Sequence, residues 1–167
     1  MNKLILPIGL SFFTFESLTY VIDVYRGHYK SLNSFSNYLT YILMFPKLIA
    51  GPIIPYNKIG WQIESERKTT AEMRWSGFLR FIFGLSKKVL IANVLGETDE
   101  ELYKLEPGSI DTLTAWAMSI GYTMQLYFDF SGYSDMAIGI CKMIGISIPE
   151  NFNFPYISKS ITEFWRR

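Results

Sequence analysis

Residues 112–128 contain no Asp, Glu, Lys or Arg, and the run then meets two acids, Asp129 and Asp135, six positions apart. An uncharged, largely apolar run of this size reads as a helix close to the length that crosses a membrane, about 20 residues. An ionisable group at the end of such a run is costly there and is a candidate functional group by default. Tyr122, Gln125 and Asp129 recur at i, i+3 and i+7, so a continuous helix places them on one face, with Met118 one turn earlier. A polar stripe on an apolar rod is expected to face a bundle or a wet cavity. Asp135 lies off that face on an unbroken helix. Gly132, between the acids, is where the helix is expected to break or tighten and bring them together. The competing reading is that Asp129 only caps or pairs near an interface.

Composition narrows the class. Charged residues make up 19% of the 167, below the roughly 25% of soluble chains, and aromatics reach 17%. Trp and Tyr favour the boundary between lipid and water. A net charge of +1 offers nucleic acid no footprint. One cysteine, Cys141, and one histidine, His28, support no disulfide framework, no metal cluster and no Ser-His-Asp triad. Met1-Asn2-Lys3 followed by an apolar run imitates a signal peptide, but no small-residue cleavage site follows before Glu16.

Taken in order, residues 4–24 read as an apolar helix with Pro7 in its first turn, and Glu16, Tyr20 and Asp23 form a second inward stripe. Arg26 and Gly27 mark its exit. A second apolar helix is expected over 38–45, broken or re-entrant from Pro46 to Pro55, where Ala50-Gly51-Pro52 forbids regular continuation. Residues 56–74 read as a solvent-exposed loop and 75–94 as a helix. Gly77, Arg80, Gly84 and Lys87 share a face of that helix, with Lys88 beside them. Small residues there permit close approach of another helix. Snorkelling to the interface is the expected role of the bases, with lipid phosphate or an anionic substrate as the alternative partner. Residues 96–108 read as an acidic loop, placed outside by the positive-inside tendency, with the basic loops and tail on the cytoplasmic side. The span is expected over 109–130, a separate short helix over 136–148, an aromatic loop over 149–156, and a capping box at Ser160 and Glu163.

Five ordered motifs carry a resemblance. They are LPIGLSFFTF at 6–15, DVYRG at 23–27, FPKLIAGP at 45–52, YFDFSGYSD at 127–135, and PENFNFPY at 149–156 leading into SITEFWRR at 160–167. Together they resemble the membrane-bound O-acyltransferase family, nearest the branch that O-acetylates bacterial alginate. The resemblance implies an all-α, multi-pass helical membrane protein of the bacterial cell membrane, with residues 1–167 forming part of a single domain. It implies transfer of an acyl group, acetyl in this branch, from a cytoplasmic donor to a hydroxyl of an exported polysaccharide. The donor is acetyl-coenzyme A or an acylated carrier, and no bound cofactor or metal is expected. Lipid, the polysaccharide acceptor and export or acetylation proteins are the implied partners. Members of the family have further helices before the stretch matching Leu4. Their tail continues past the position of Arg167 into Trp-His and later a second, catalytic histidine. Neither histidine is in this chain, and His28 matches neither.

Acyl transfer to an alcohol needs a base to activate the hydroxyl. With the family's imidazole elsewhere, the resemblance assigns Asp129 and Asp135 supporting catalytic roles, orienting a base or holding its charged form. Tyr122, Gln125, Tyr133, Arg166 and Arg167 are the candidate substrate-binding residues. The leading expectation is therefore a fragment of a polysaccharide O-acyltransferase, inactive by itself. The alternatives are a non-catalytic membrane scaffold or partner subunit of an export complex, and a soluble helical domain.

Overall fold

The fold is set by α6 (Thr112–Met143), one continuous helix of 32 residues in the computed structural model, which describes residues 9–32, 34–48 and 53–167. At 1.5 Å per residue it is about 48 Å long. Asp111 starts it by accepting the Thr114 amide at 2.7 Å. Its end is a Schellman turn: Gly145 has φ +80°, its amide bonds Lys142, and the Ile146 amide bonds Cys141 at 2.8 Å. Gly132 does not interrupt it. The expected separate helices over 109–130 and 136–148 are one element, because Gly132 serves packing rather than a turn.

Against α6 runs an antiparallel partner made of α4 (Ala71–Ser86), a π-helical segment (Lys87–Ala92) and α5 (Asn93–Leu102). Glycines set the approach. A Cβ on Gly84 would lie 2.5 Å from the Gly132 carbonyl oxygen, and one on Gly77 2.7 Å from that of Gly139. The two pairs are seven residues apart on each helix, so the small residues form one seam. Gly96 lies inside α5 and abuts Gln125, so the acidic stretch begins as helix and not as the expected loop.

Three further helices pack at the C-terminal end of α6. α1 (Leu10–Tyr25) ends in a second Schellman turn at Gly27, φ +71°, at the expected exit. α2 (Phe35–Ile42) stops before a 3₁₀ turn at Phe45–Lys47, so the chain breaks at Pro46 as its sequence requires. The expectations for Leu4, Pro7 and Ala50-Gly51-Pro52 fall outside the described residues. α3 (Tyr56–Glu64) corrects the expected loop over 56–74: Tyr56, Ile59 and Ile63 are buried at i, i+3 and i+7. Tyr56 sits edge-on to Tyr20, Tyr29 and Tyr41, with ring centroids 4.8–5.1 Å apart. Gln62 exchanges two hydrogen bonds with the Ser147 backbone, at 2.7 and 2.8 Å, and ties α3 to the segment after α6. α7 (Ile161–Arg166) is a short C-terminal helix.

The described residues are all helix, turn and loop, without a strand. No helix among them is both long and apolar enough to cross a membrane. α6 has the length, but Thr, Ser, Tyr and Gln interrupt its apolar residues before Asp129 is reached.

Candidate functional site

The stripe on α1 is buried as expected, and each acid on it has a distinct partner. Glu16 is 2% exposed and pairs at 2.5 Å with Lys47, whose side chain is fully buried and lies over the Tyr41 ring. Asp23 accepts the Asn57 amide at 3.2 Å and so caps α3, whose own N-cap residue, Pro55, offers no side-chain acceptor. His28 Nδ1 lies 3.5 Å from Asp23, on the loop after α1. These contacts hold three helices together at one end of α6.

The stripe on α6 behaves differently. Met118 is buried, Gln125 is half-buried against Gly96, and Tyr122 is exposed. Asp129 is half-exposed and pairs with Lys88 at 2.7 Å. Asp135 is 5% exposed and both of its oxygens are engaged. Oδ1 accepts from Arg80 Nε at 2.8 Å and from a second guanidinium nitrogen at 2.6 Å, and Oδ2 accepts from Lys87 at 2.6 Å. Arg80 also donates to Glu150 at 2.5 Å. The expected snorkelling of Arg80 and Lys87 is therefore corrected: both turn inward, because a buried carboxylate on the facing helix outcompetes the interface. The two acids take different lysines, Lys88 and Lys87, adjacent at the entry to the π segment. Such segments recur at functional sites.

Above Asp135 opens a cleft of about 740 Å³, lined by Arg80, Lys87, Ser131, Ser134 and Glu150 and by aromatic residues of α4, α6 and the 149–156 loop. The loop is pinned at several points. Arg80 holds Glu150, the Tyr156 hydroxyl donates to the Thr123 carbonyl at 3.2 Å, and Phe152 meets Tyr127 and Phe130 edge-on. Its Asn153 amide donates to the Arg167 carbonyl at 2.6 Å, and the Arg167 guanidinium donates back to Asn153 at 3.2 Å.

Arg167 thus borders the site through a second, smaller cleft that shares Tyr127 and Phe152 with the first. Arg166 is exposed and lines neither cleft. Tyr133 donates to the Pro46 carbonyl at 3.3 Å, linking α6 to the 3₁₀ turn. The capping box forms with one change. Ser160 accepts the Glu163 amide at 3.1 Å, but the Glu163 carboxylate reaches back to the amide of Lys159 rather than of Ser160. That bond and the Arg167 guanidinium hold its carboxyl below the usual carboxylate range.

Of the residues singled out by sequence, Asp135 and Arg167 border clefts, Asp129 and Gln125 lie against the π segment and α5, and Tyr122 and Arg166 face outward. The residues that sequence reasoning left out of the site are Arg80, Lys87, Glu150, Ser131 and Ser134. The available signal was charge arithmetic: two bases spaced i, i+7 on a glycine-bearing face match an acid on a helix that can approach closely.

The family profile of the membrane-bound O-acyltransferases matches residues 10–167. The chain is 46% identical over 167 residues to the "Probable alginate O-acetylase AlgI" of Pseudomonas aeruginosa, covering all of this chain and 32% of that protein. It is 37% identical over 191 residues to the peptidoglycan O-acetyltransferase of Helicobacter pylori, covering 98% of this chain and 36% of the relative. It is 30% identical over 180 residues to the teichoic acid D-alanyltransferase of Bacillus subtilis, covering 99% and 42% respectively. The chain spans about a third of the length of the alginate and peptidoglycan relatives.

Proposed function

The chain belongs to the membrane-bound O-acyltransferase family, and from that premise we propose that it forms part of a multi-pass membrane enzyme moving an acyl group, acetyl, from a cytoplasmic donor to a hydroxyl of an exported polysaccharide. The observation that carries the reading is the cleft built on Asp135 within the matched region. The relatives named for acetyl or alanyl transfer to alginate, peptidoglycan and teichoic acid support a cell-surface polymer as acceptor. Acetyl-coenzyme A or an acylated carrier is the donor in this reading, and other export proteins are its partners. Placement in the membrane is supported by the apolar residues that α4, the π segment and α6 leave exposed, among them Phe83, Leu90, Leu113 and Trp116.

In this reading the two carboxylates have different tasks. Asp135, with three donors on its two oxygens, is an anchor: it fixes Arg80 and Lys87 at the cleft. Asp129, half-exposed with one lysine, retains acceptor capacity to orient a base or hold its charged form. The imidazole that takes the hydroxyl proton is not His28, which pairs with Asp23 and lies outside the cleft lining. These 167 residues alone are therefore proposed to be inactive.

The test is transfer of labelled acetyl from either donor to polysaccharide by membranes that contain the whole enzyme of which these residues are proposed to form part. Asp129→Asn and Asp135→Asn are each expected to lower the rate at least tenfold, while the isolated chain stays at background. Full rates in both variants would remove the site. Absence of transfer by the unaltered protein with either donor would remove the function and favour a scaffold.

A further inference from the structure

We propose that residues 149–152 form a strap across the cleft above Asp135, latched by Glu150 on Arg80, and that a phosphate group opens the strap by taking the place of the Glu150 carboxylate. This does not depend on the acyl-transfer reading, which gives Glu150 no task.

Exposure makes the latch asymmetric. One guanidinium, Arg80, bridges two carboxylates. Asp135, with a side chain 7% exposed, accepts from two of its nitrogens and also from Lys87. Glu150, with a side chain 58% exposed, accepts from one of them, at 2.5 Å. A buried charge that loses its partner is costly, whereas an exposed pair is worth at most about a fivefold factor. The Asp135 end of the bridge is therefore fixed, and the Glu150 end is the one that exchanges.

Little else holds the strap. It leaves the core at Ile148 and returns to it at Pro155, both buried. Residues 149–152 make no backbone–backbone hydrogen bond among the described residues, and segments without such bonds open at low cost. Besides Glu150, the side chain that fixes them is Phe152, edge-on to Tyr127 and Phe130. Phe152 and Tyr127 also form the wall between this cleft and its neighbour of about 390 Å³, so lifting Phe152 joins the two. The ties at Asn153 and Tyr156 lie past the moving part and give it a fixed far end. Between those ties Phe154 is held at φ +47°, ψ +63°, and strained backbone of this kind gathers at switch regions.

Charge and donor count select phosphate. With the latch closed, the lining holds two cations, Arg80 and Lys87, and two carboxylates, Asp135 and Glu150. Release of Glu150 to solvent leaves one net positive charge in the cleft and frees an Arg80 N–H. The other terminal nitrogen of Arg80 and two N–H groups of Lys87 have no hydrogen-bond partner among the described residues. A phosphate group has enough terminal oxygens to reach both bases at once. A small carboxylate only repeats what Glu150 offers, and Glu150 competes from within the chain at a high effective concentration.

Fluorine NMR on the detergent-solubilised whole enzyme tests this, with a fluorinated label on Asn151→Cys in a background without other accessible cysteines. Asn151 is half-buried at the neighbouring cleft, and Cys141 is fully buried. The probes are inorganic phosphate, with acetate and sodium chloride at the same ionic strength as controls for a monocarboxylate and for screening. A closed-strap resonance is expected to dominate in buffer, by up to about fivefold. Phosphate should move the population to a second, open resonance, and neither control should. Glu150→Gln and Glu150→Ala change an exposed side chain, so both should fold, and both should show the open resonance without phosphate. Each should also tighten phosphate binding, read by phosphorus line broadening, by about the closed-to-open ratio of the unaltered enzyme. Opening by chloride or acetate to the same extent overturns the proposal, as does absence of phosphate binding. A closed resonance that persists in both Glu150 variants, phosphate affinity unmoved by them, or phosphate bound while the strap stays closed also overturns it.

Discussion

Asp129 and Asp135 look alike in sequence, yet exposure separates them. The Asp135 side chain is 7% exposed, while that of Asp129 is 43% exposed. Removing the buried charge strands Arg80 and Lys87, so Asp135→Ala should cost about 3 kcal/mol, the low end for a buried pair because Arg80 is itself partly exposed. Asp129→Ala should cost about 0–1 kcal/mol. Denaturation in mild detergent measures both, and equal losses would contradict the assignment. Glu163 adds a pH dependence. Its carboxyl titrates lower in the folded chain than in the unfolded one, so it stabilises the α7 cap fully above its ordinary pKa of about 4.3. That contribution is lost as pH falls through the lower, folded value. The protection of the Lys159 amide against hydrogen exchange, relative to its intrinsic rate, should therefore fall below pH about 4, and Glu163→Gln should flatten the profile.

At the scale of elements, the seam between α4 and α6 decides where Asp135 meets its bases. The Gly84–Gly132 and Gly77–Gly139 contacts bring backbone against backbone. Gly84→Ala should force the helices apart and cost about 1–3 kcal/mol. Gly108→Ala, with nothing within 4 Å of its added Cβ, should change stability by no more than about 0.5 kcal/mol. Comparable melting losses in the two variants would show that the seam does not set the approach. Helix α3 shows what was legible and overlooked: Tyr56, Ile59 and Ile63 carry helical spacing, but Lys58, Glu64 and Glu66 among them read as loop. Gly132 shows what was not legible. A glycine in a helix signals either a break or a close neighbour, and only the neighbour, Gly84, distinguishes them.

At the scale of the molecule, the buried Glu16–Lys47 pair joins α1 to the turn after α2, beside the α6 end where the apolar core gathers. Lys47→Met should destabilise by about 3–5 kcal/mol by leaving a carboxylate buried alone, and adding Glu16→Leu should recover most of it. If the double variant is as unstable as the single one, the pair contributes more than charge balance. The membrane-bound O-acyltransferase family, the all-helical class, the helix stop at Gly27, the break at Pro46 and the buried α1 stripe were all determined by sequence alone. They follow from periodicity, dihedral limits and ordered motifs, which are local properties of the chain. Tertiary structure decided that α6 runs unbroken, that Arg80 and Lys87 turn inward, and that Ser131, Ser134 and Glu150 border one cleft. Those outcomes depend on which groups meet across a helix interface, and side-chain spacing along one helix contains no information about the helix it will face.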